Sequence, residues 1–177
     1  MSVISKVIDF DIFNQEQEAL FALFESLDIT QTTFEHPPVF TVAEGDAMGL
    51  HDVIPGQGGK SLLLTNDLKE LWLVVACDQT RVDMKRLSQV LETKRFSFAK
   101  PDIMQDVMRV VPGSATPFAL MHDVQRQIRV VIDDTFLQSE YCVFHPLENR
   151  FSTVVAFADL VRFLEYLGYA PRIMPVA

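Results

Sequence analysis

Ser61-Leu62-Leu63-Leu64-Thr65-Asn66 and Leu71-Trp72-Leu73-Val74-Val75-Ala76-Cys77 are two short apolar runs separated by Asp67-Leu68-Lys69-Glu70. Their length and the polar four-residue break between them predict a β-hairpin. Helices are expected on either side of this hairpin in the chain. The flanking sequence supplies such helices. Leu20, Leu23, Phe24 and Leu27 recur at helical spacing after Asn14, and Leu87, Val90 and Leu91 do so within Asp83–Glu92. Pro101 suits a first helical position ahead of Asp102–Val110. A last helix is expected over Ala158–Leu167, stopping at Gly168. Thr32–Glu35, Ile128–Asp133, Tyr141–Phe144 and Ser152–Phe157 read as further strands, and Ala43–His51 as a short helix. Pro55-Gly56-Gln57-Gly58-Gly59 reads as the most flexible loop. Hairpins with helices between them place the chain in the α+β class.

Length and composition agree with one domain spanning 1–177. The 177 residues are 49% hydrophobic and include 14 Phe, enough for a substantial core. No apolar run approaches the ~20 residues of a membrane span. Met1–Phe13 carries Lys6, Asp9 and Asp11 and lacks the apolar centre of a signal peptide, so a cytoplasmic location is expected, with no membrane partner. Cys77 and Cys142 lie in apolar runs and are expected to be buried reduced thiols. The net charge of −9 argues against broad nucleic-acid binding, and DNA is not an expected partner. Charge is uneven, however. Residues 81–109 hold seven basic and four acidic side chains, net +3, leaving −12 for the rest. This is either a set of solvated helix faces or a local patch for the phosphates at the end of an RNA.

The loop Pro112-Gly113-Ser114-Ala115-Thr116-Pro117-Phe118 is the strongest candidate for chemistry. Gly113 tolerates positive φ and close approach, and Pro117 stiffens what precedes it. Such a loop can aim successive N–H groups at a carbonyl or anionic oxygen, or it can be a tight turn between core segments. Ser114 and Thr116 lie in no Gly-x-Ser-x-Gly elbow, which disfavours them as nucleophiles. Lys60, ahead of an apolar strand, is either a solvated lysine or an ammonium aimed into a cleft. His145 is a candidate base, metal ligand, corner staple or pocket wall. His36, His51, His122 and His145 show no zinc-like pairing, and no metal is expected. Cys142 and His145, three apart in a strand-like run, face opposite sides, which disfavours a thiol–imidazole dyad.

Four stretches taken together carry a resemblance. They are His36-Pro37-Pro38-Val39-Phe40-Thr41, Gly59-Lys60-Ser61-Leu62-Leu63-Leu64-Thr65, Pro112–Phe118 and Phe144-His145-Pro146-Leu147-Glu148-Asn149. In that order and rough spacing, from about Phe13 to Pro171, the chain resembles the YbaK/ProX family. Its members are free-standing relatives of the editing domain of bacterial prolyl-tRNA synthetase. The resemblance implies a mixed, mostly antiparallel, barrel-like sheet flanked by helices. It also implies hydrolysis of the ester of a mischarged tRNA, first of all alanine on proline tRNA, with no cofactor. Lys60, Gly113, Ser114 and Ala115 would be the catalytic group, Lys60 holding the tRNA 3′ end and backbone N–H groups holding the ester carbonyl. His36, Phe40, Thr41, Ser61, Thr116, Pro117, Phe118, His145 and Asn149 would bind substrate. Family members often carry Asn where this chain has Ser61. Phe98 and Phe118 are candidates to stack on the terminal adenine. The implied partner is the aminoacylated 3′ acceptor end of a tRNA, with a synthetase as an open option. Three alternatives stand beside this: a non-catalytic module for tRNA ends or a synthetase, a deacylase for another small residue such as cysteine, and a metal-dependent hydrolase.

Overall fold

A computed structural model describes residues 4–177; residues 1–3 of the expected 1–177 domain lie outside the described residues. The chain runs β1 (Ser5–Lys6), α1 (Gln15–Ser26), β2 (Gln31–Glu35), α2 (Val42–Met48), α3 (Leu50–Val53), β3 (Gln57–Thr65), β4 (Leu71–Cys77) and α4 (Met84–Val90). It continues through β5 (Ser97–Phe98), α5 (Pro101–Met108), β6 (Ile128–Asp133), β7 (Tyr141–Phe144), β8 (Phe151–Ala156), α6 (Phe157–Tyr166) and β9 (Arg172–Met174). The strands form one mixed sheet in the order β1-β2-β8-β7-β3-β4-β6-β9, with β5 added to β3. The β3–β7, β4–β6 and β6–β9 pairs are parallel and the other pairs antiparallel. The α+β expectation is met, but the sheet is not closed: among the described residues β1 pairs only with β2, and β9 only with β6.

The predicted hairpin is β3–β4, aligned from Gly59 opposite Cys77 to Thr65 opposite Leu71. Every residue of β4 is buried, because both faces are covered. Leu63, Leu73 and Val75 enter the larger core with Leu20, Phe24, Phe118 and Phe163, while Leu64, Trp72 and Val74 enter a second core with Leu87 and Phe96. Cys77 and Cys142 are buried free thiols, and burial pushes Cys77 up to about 12. The thiol of Cys142 points to the Val155 carbonyl within the core.

Helix α1 starts where Asn14 caps it. Asn14 Oδ1 accepts the Gln17 N–H at 2.9 Å, and Gln17 Oε1 accepts the Asn14 N–H at 3.1 Å. The buried Gln17 amide then donates to the Pro146 carbonyl at 2.9 Å, tying α1 to the 145–149 corner.

Two expectations are corrected. Residues 43–51 are not one helix: Gly49, at φ +75°, ends α2 and leads into α3. The loop expected over 55–59 is shorter, because Gln57, Gly58 and Gly59 already belong to β3. Gln57 and Gly58 pair with Cys142 and Val143 of β7. The paired glycines are demanded by packing. A Cβ on Gly59 would sit 2.2 Å from Phe144 Cε1, and one on Gly58 2.2 Å from Asp78 Oδ2. Phe144 is wedged in the core and cannot swing aside. Gly59→Ala is therefore expected to cost about 3 kcal/mol or more, lowering Tm by roughly 6–12 °C. Thermal unfolding of the purified variant checks this, and an unchanged Tm would show that the strand can shift to make room.

A candidate active-site cleft where one strand is shared by two half-sheets

Strand β3 is shared. On one edge it pairs with β4 from Gly59 to Thr65. On the other it pairs with β7 only at Gln57–Gly58 and with β5 only at Leu64–Thr65. The Leu63 carbonyl also accepts the Ala99 N–H at 2.9 Å; between Gly58 and Leu63 no strand pairs with this edge among the described residues, and a cleft of about 520 Å³ lies along it. Val143, Phe144 and His145 line it from the β7 side, and Phe98 and Ala99 from the β5 side. Segment α2–α3 and the 112–115 loop supply the remaining walls.

The Gly113 loop divides into two parts. Gly113 has φ +92°, and a Cβ there would lie 3.0 Å from Phe40 Cδ1. The Ser114 N–H is spent on the Val111 carbonyl at 3.0 Å, closing the turn. The N–H groups of Gly113, Ala115 and Thr116 take no partner among the described residues. Pro112, Gly113 and Ala115 line the cleft, whereas Ser114 and Thr116 are buried away from its lining. Thr116 Oγ1 accepts the Phe118 N–H at 3.3 Å. Pro117 and Phe118 are buried, with Phe118 edge-on to Phe24 at 5.1 Å between ring centres. The second half of the motif thus anchors the loop in the core. This overturns the expectation that Phe118 stacks on a base. Phe98 and Phe40, 60% and 64% exposed, are the phenylalanines at the cleft's edge.

Lys60 lines the cleft, and its ammonium donates to the Asp78 carbonyl at 2.9 Å. The neighbouring Ser61 hydroxyl is buried without a partner among the described residues. Asp78, nearly sealed, lies against His51 and Gln57. Burial pushes its carboxyl above the usual range, with His51 the first group opposing the shift.

The histidines of the two corner motifs differ in placement. His145 lines the cleft, and its Nδ1–H donates to the Phe151 carbonyl at 2.6 Å. A carbonyl can only accept, so the neutral ring keeps its lone pair on Nε2, which has no partner among the described residues. Burial lowers the pKa of His145, and the ring of His36, centred 6.1 Å away, adds to the effect. His36 is buried outside the cleft lining, donating to the Pro37 carbonyl at 2.8 Å and meeting the Ser152 hydroxyl at 2.9 Å. Burial lowers its pKa as well. Asn149 is a staple: its amide donates to the Val39 carbonyl at 3.0 Å, while the Val39 N–H donates to the Asn149 carbonyl at 3.1 Å. Thr41 lines the cleft and caps α2, its hydroxyl accepting the Glu44 N–H at 3.2 Å.

The basic stretch 81–109 is divided. Arg86 holds the Ala177 carbonyl, and Arg109 faces Glu16 at 3.6 Å. Lys94, Arg95 and Lys100 flank β5 in sequence and have no ion-pair partner among the described residues. Among those residues, no group of three or more His, Cys, Asp or Glu is arranged to hold a metal ion. No helix there is long and apolar enough to cross a membrane.

Comparison with known proteins gives the class to which this open sheet and its cleft belong. Residues 36–163 match the aminoacyl-tRNA editing domain, and the chain belongs to that family. It is 27% identical over 153 residues to the prolyl-tRNA editing protein ProX of Acetoanaerobium sticklandii, covering 86% of this chain and 92% of that protein. It is 32% identical over 163 residues to the prolyl-tRNA synthetase associated domain-containing protein 1 of Xenopus laevis, covering 89% and 95% of the two chains. In fold it is similar to a crystal structure described as a candidate trans-editing enzyme for prolyl tRNA synthetase. That match has a TM-score of 0.69 at 14% identity and covers 93% of this chain and 99% of the other.

Sequence reasoning missed His51, Asp46 and Asp78. The Gly58-Gly59 pair was the available signal, since adjacent glycines within a strand mark close approach by other groups.

Proposed function

We propose that the protein is a free-standing aminoacyl-tRNA deacylase whose first substrate is alanine esterified to proline tRNA. The observation that carries this reading is that one cleft is lined by Lys60 and by Gly113 and Ala115, whose N–H groups take no partner among the described residues. Lys60 holds the phosphate or ester region of the 3′ end, moving from the Asp78 carbonyl to the substrate. The Gly113 and Ala115 N–H groups receive the ester carbonyl and the negative charge that grows on it, worth about 3–4 kcal/mol per well-aimed donor. Water adds to the carbonyl carbon, assisted by the ribose hydroxyl of the substrate, as the family resemblance implies. The bond from carbon to the ribose oxygen then breaks, the ribose oxygen takes the proton, and free amino acid and tRNA leave. Editing is needed because a synthetase pocket for proline rejects the smaller alanine by only ~1–3 kcal/mol.

The test is a panel of charged tRNAs (alanyl-, cysteinyl-, seryl- and prolyl-tRNA of proline) incubated with purified protein, with and without chelator. Fastest release of alanine, unaffected by chelator, is the expected result. Faster release of cysteine would move the substrate, and chelator-sensitive release would move the chemistry to a metal. Binding to tRNA ends without release would leave a recognition module, the reading that the unpartnered Ser61 hydroxyl favours.

His145 serves in this reading as a wall of the amino-acid pocket. Burial lowers its pKa below the ordinary histidine value, which favours the neutral ring. His145→Ala is expected to slow alanyl ester by no more than about threefold and to raise turnover of seryl and prolyl esters, because a steric wall discriminates between substrates. Turnover of the three esters across pH 6 to 8 checks this. A uniform loss of about 100-fold or more with an altered pH profile would assign a general base instead.

A further inference from the structure

His51 belongs to none of the four motifs, yet its ring joins two walls of the cleft. Nε2 lies 2.9 Å from Asp46 Oδ1 on α2 and 3.0 Å from Asp78 Oδ2, just beyond β4. The other Asp78 oxygen accepts the Gln57 amide at 3.2 Å. The Asp78 carboxylate occupies the space that a Gly58 side chain would need. From this clamped residue the backbone carbonyl takes the Lys60 ammonium at 2.9 Å. Gln79, the next residue, donates to Asp46 Oδ2 at 3.3 Å and strengthens the same junction.

We infer that His51 is a positioning residue that fixes the Lys60 ammonium through Asp78 and holds α2–α3 down as a wall of the cleft. The inference rests on the reading of Lys60 as the substrate anchor. The His51 ring is the hydrogen-bonding group set between a nearly buried carboxyl group and a second one. Without the imidazole, Asp46 and Asp78 repel each other across the junction. Asp78 then leaves its place under Gly58, and its carbonyl no longer fixes Lys60. Segment α2–α3 supplies Val42, Gly45, Leu50 and His51 itself to the cleft lining, so releasing it also opens that wall.

The experiment compares full-length wild type, His51→Ala and His51→Gln by two readouts that need no substrate. One is hydrogen exchange of the amides over 42–53. The other is the rate at which an amine-acylating reagent modifies Lys60, followed by mass spectrometry. His51→Ala is expected to speed exchange over 42–53 by about tenfold or more and Lys60 acylation several-fold, with β4 unchanged. His51→Gln keeps an N–H donor and recovers part of both effects. On the tRNA ester that wild type hydrolyses best, KM of His51→Ala rises by about tenfold with little change in kcat, as loss of ground-state anchoring requires. Wild-type exchange and Lys60 reactivity in His51→Ala overturn the inference. So does a loss confined to kcat alongside a general loss of protection in the sheet. If His51→Ala does not fold, Asp46→Asn weakens the same bridge from its exposed side and carries the comparison. A wild type inactive on every charged tRNA counts against the proposed function alone, since exchange and acylation still decide this inference.

Discussion

Lys60→Ala is expected to lower kcat/KM on mischarged tRNA by about 100-fold or more while Tm stays within a few degrees of wild type. Among the described residues the ammonium is the one lysine cation in the cleft lining, and it makes a single hydrogen bond there, to the Asp78 carbonyl. Removing a partly buried lysine that lies outside the hydrophobic core clusters costs little stability. The effect should therefore fall on the substrate, through lost contact with the 3′ end. Lys60→Arg should restore only part of the rate, because a planar fork replaces a compact point charge beneath a glycine-lined strand. Single-turnover deacylation with matched thermal melts separates the two effects. Turnover by Lys60→Ala near the wild-type rate would remove the proposed role.

Gly113→Val is expected to reduce turnover by about 10²–10³, the loss associated with misplacing one oxyanion donor. Two independent features oppose the substitution. The backbone stands at φ +92°, where a branched side chain is strained, and the new Cβ would press on Phe40 Cδ1 at 3.0 Å. The loop must shift, carrying the unpartnered N–H groups of Gly113 and Ala115 off target. Ser114→Ala is the informative contrast. The Ser114 N–H already closes the turn onto Val111, its side chain is buried, and the residue is outside the cleft lining. That variant should retain turnover within about threefold of wild type, since a backbone hydrogen bond survives a change of side chain. A Ser114→Ala protein as inactive as Gly113→Val would point to a serine nucleophile and would discard the backbone-donor reading.

What could be read from the chain alone was local. The β3–β4 hairpin follows from two apolar runs around a polar turn. The start of α1 follows from Asn14, and the end of α6 from Gly168, because capping and turn chemistry act over three or four residues. The Gly113 loop and Lys60 stood out for the same reason: their character lies in consecutive residues.

Only the tertiary structure decided which of the motif residues reach the cleft. Phe118 and Phe40 look alike in sequence. One lies in an aromatic core, and the other leans over Gly113. His36 and His145 each precede proline, but only His145 lines the cavity. The divergence of β3 between β7 and β5 has no local signature, since it depends on pairing between segments far apart in the chain. The bridge from Asp46 through His51 to Asp78 was hidden for the same reason. Its members come from separate elements, and a histidine between two carboxylates becomes visible only when folding brings them within hydrogen-bond distance.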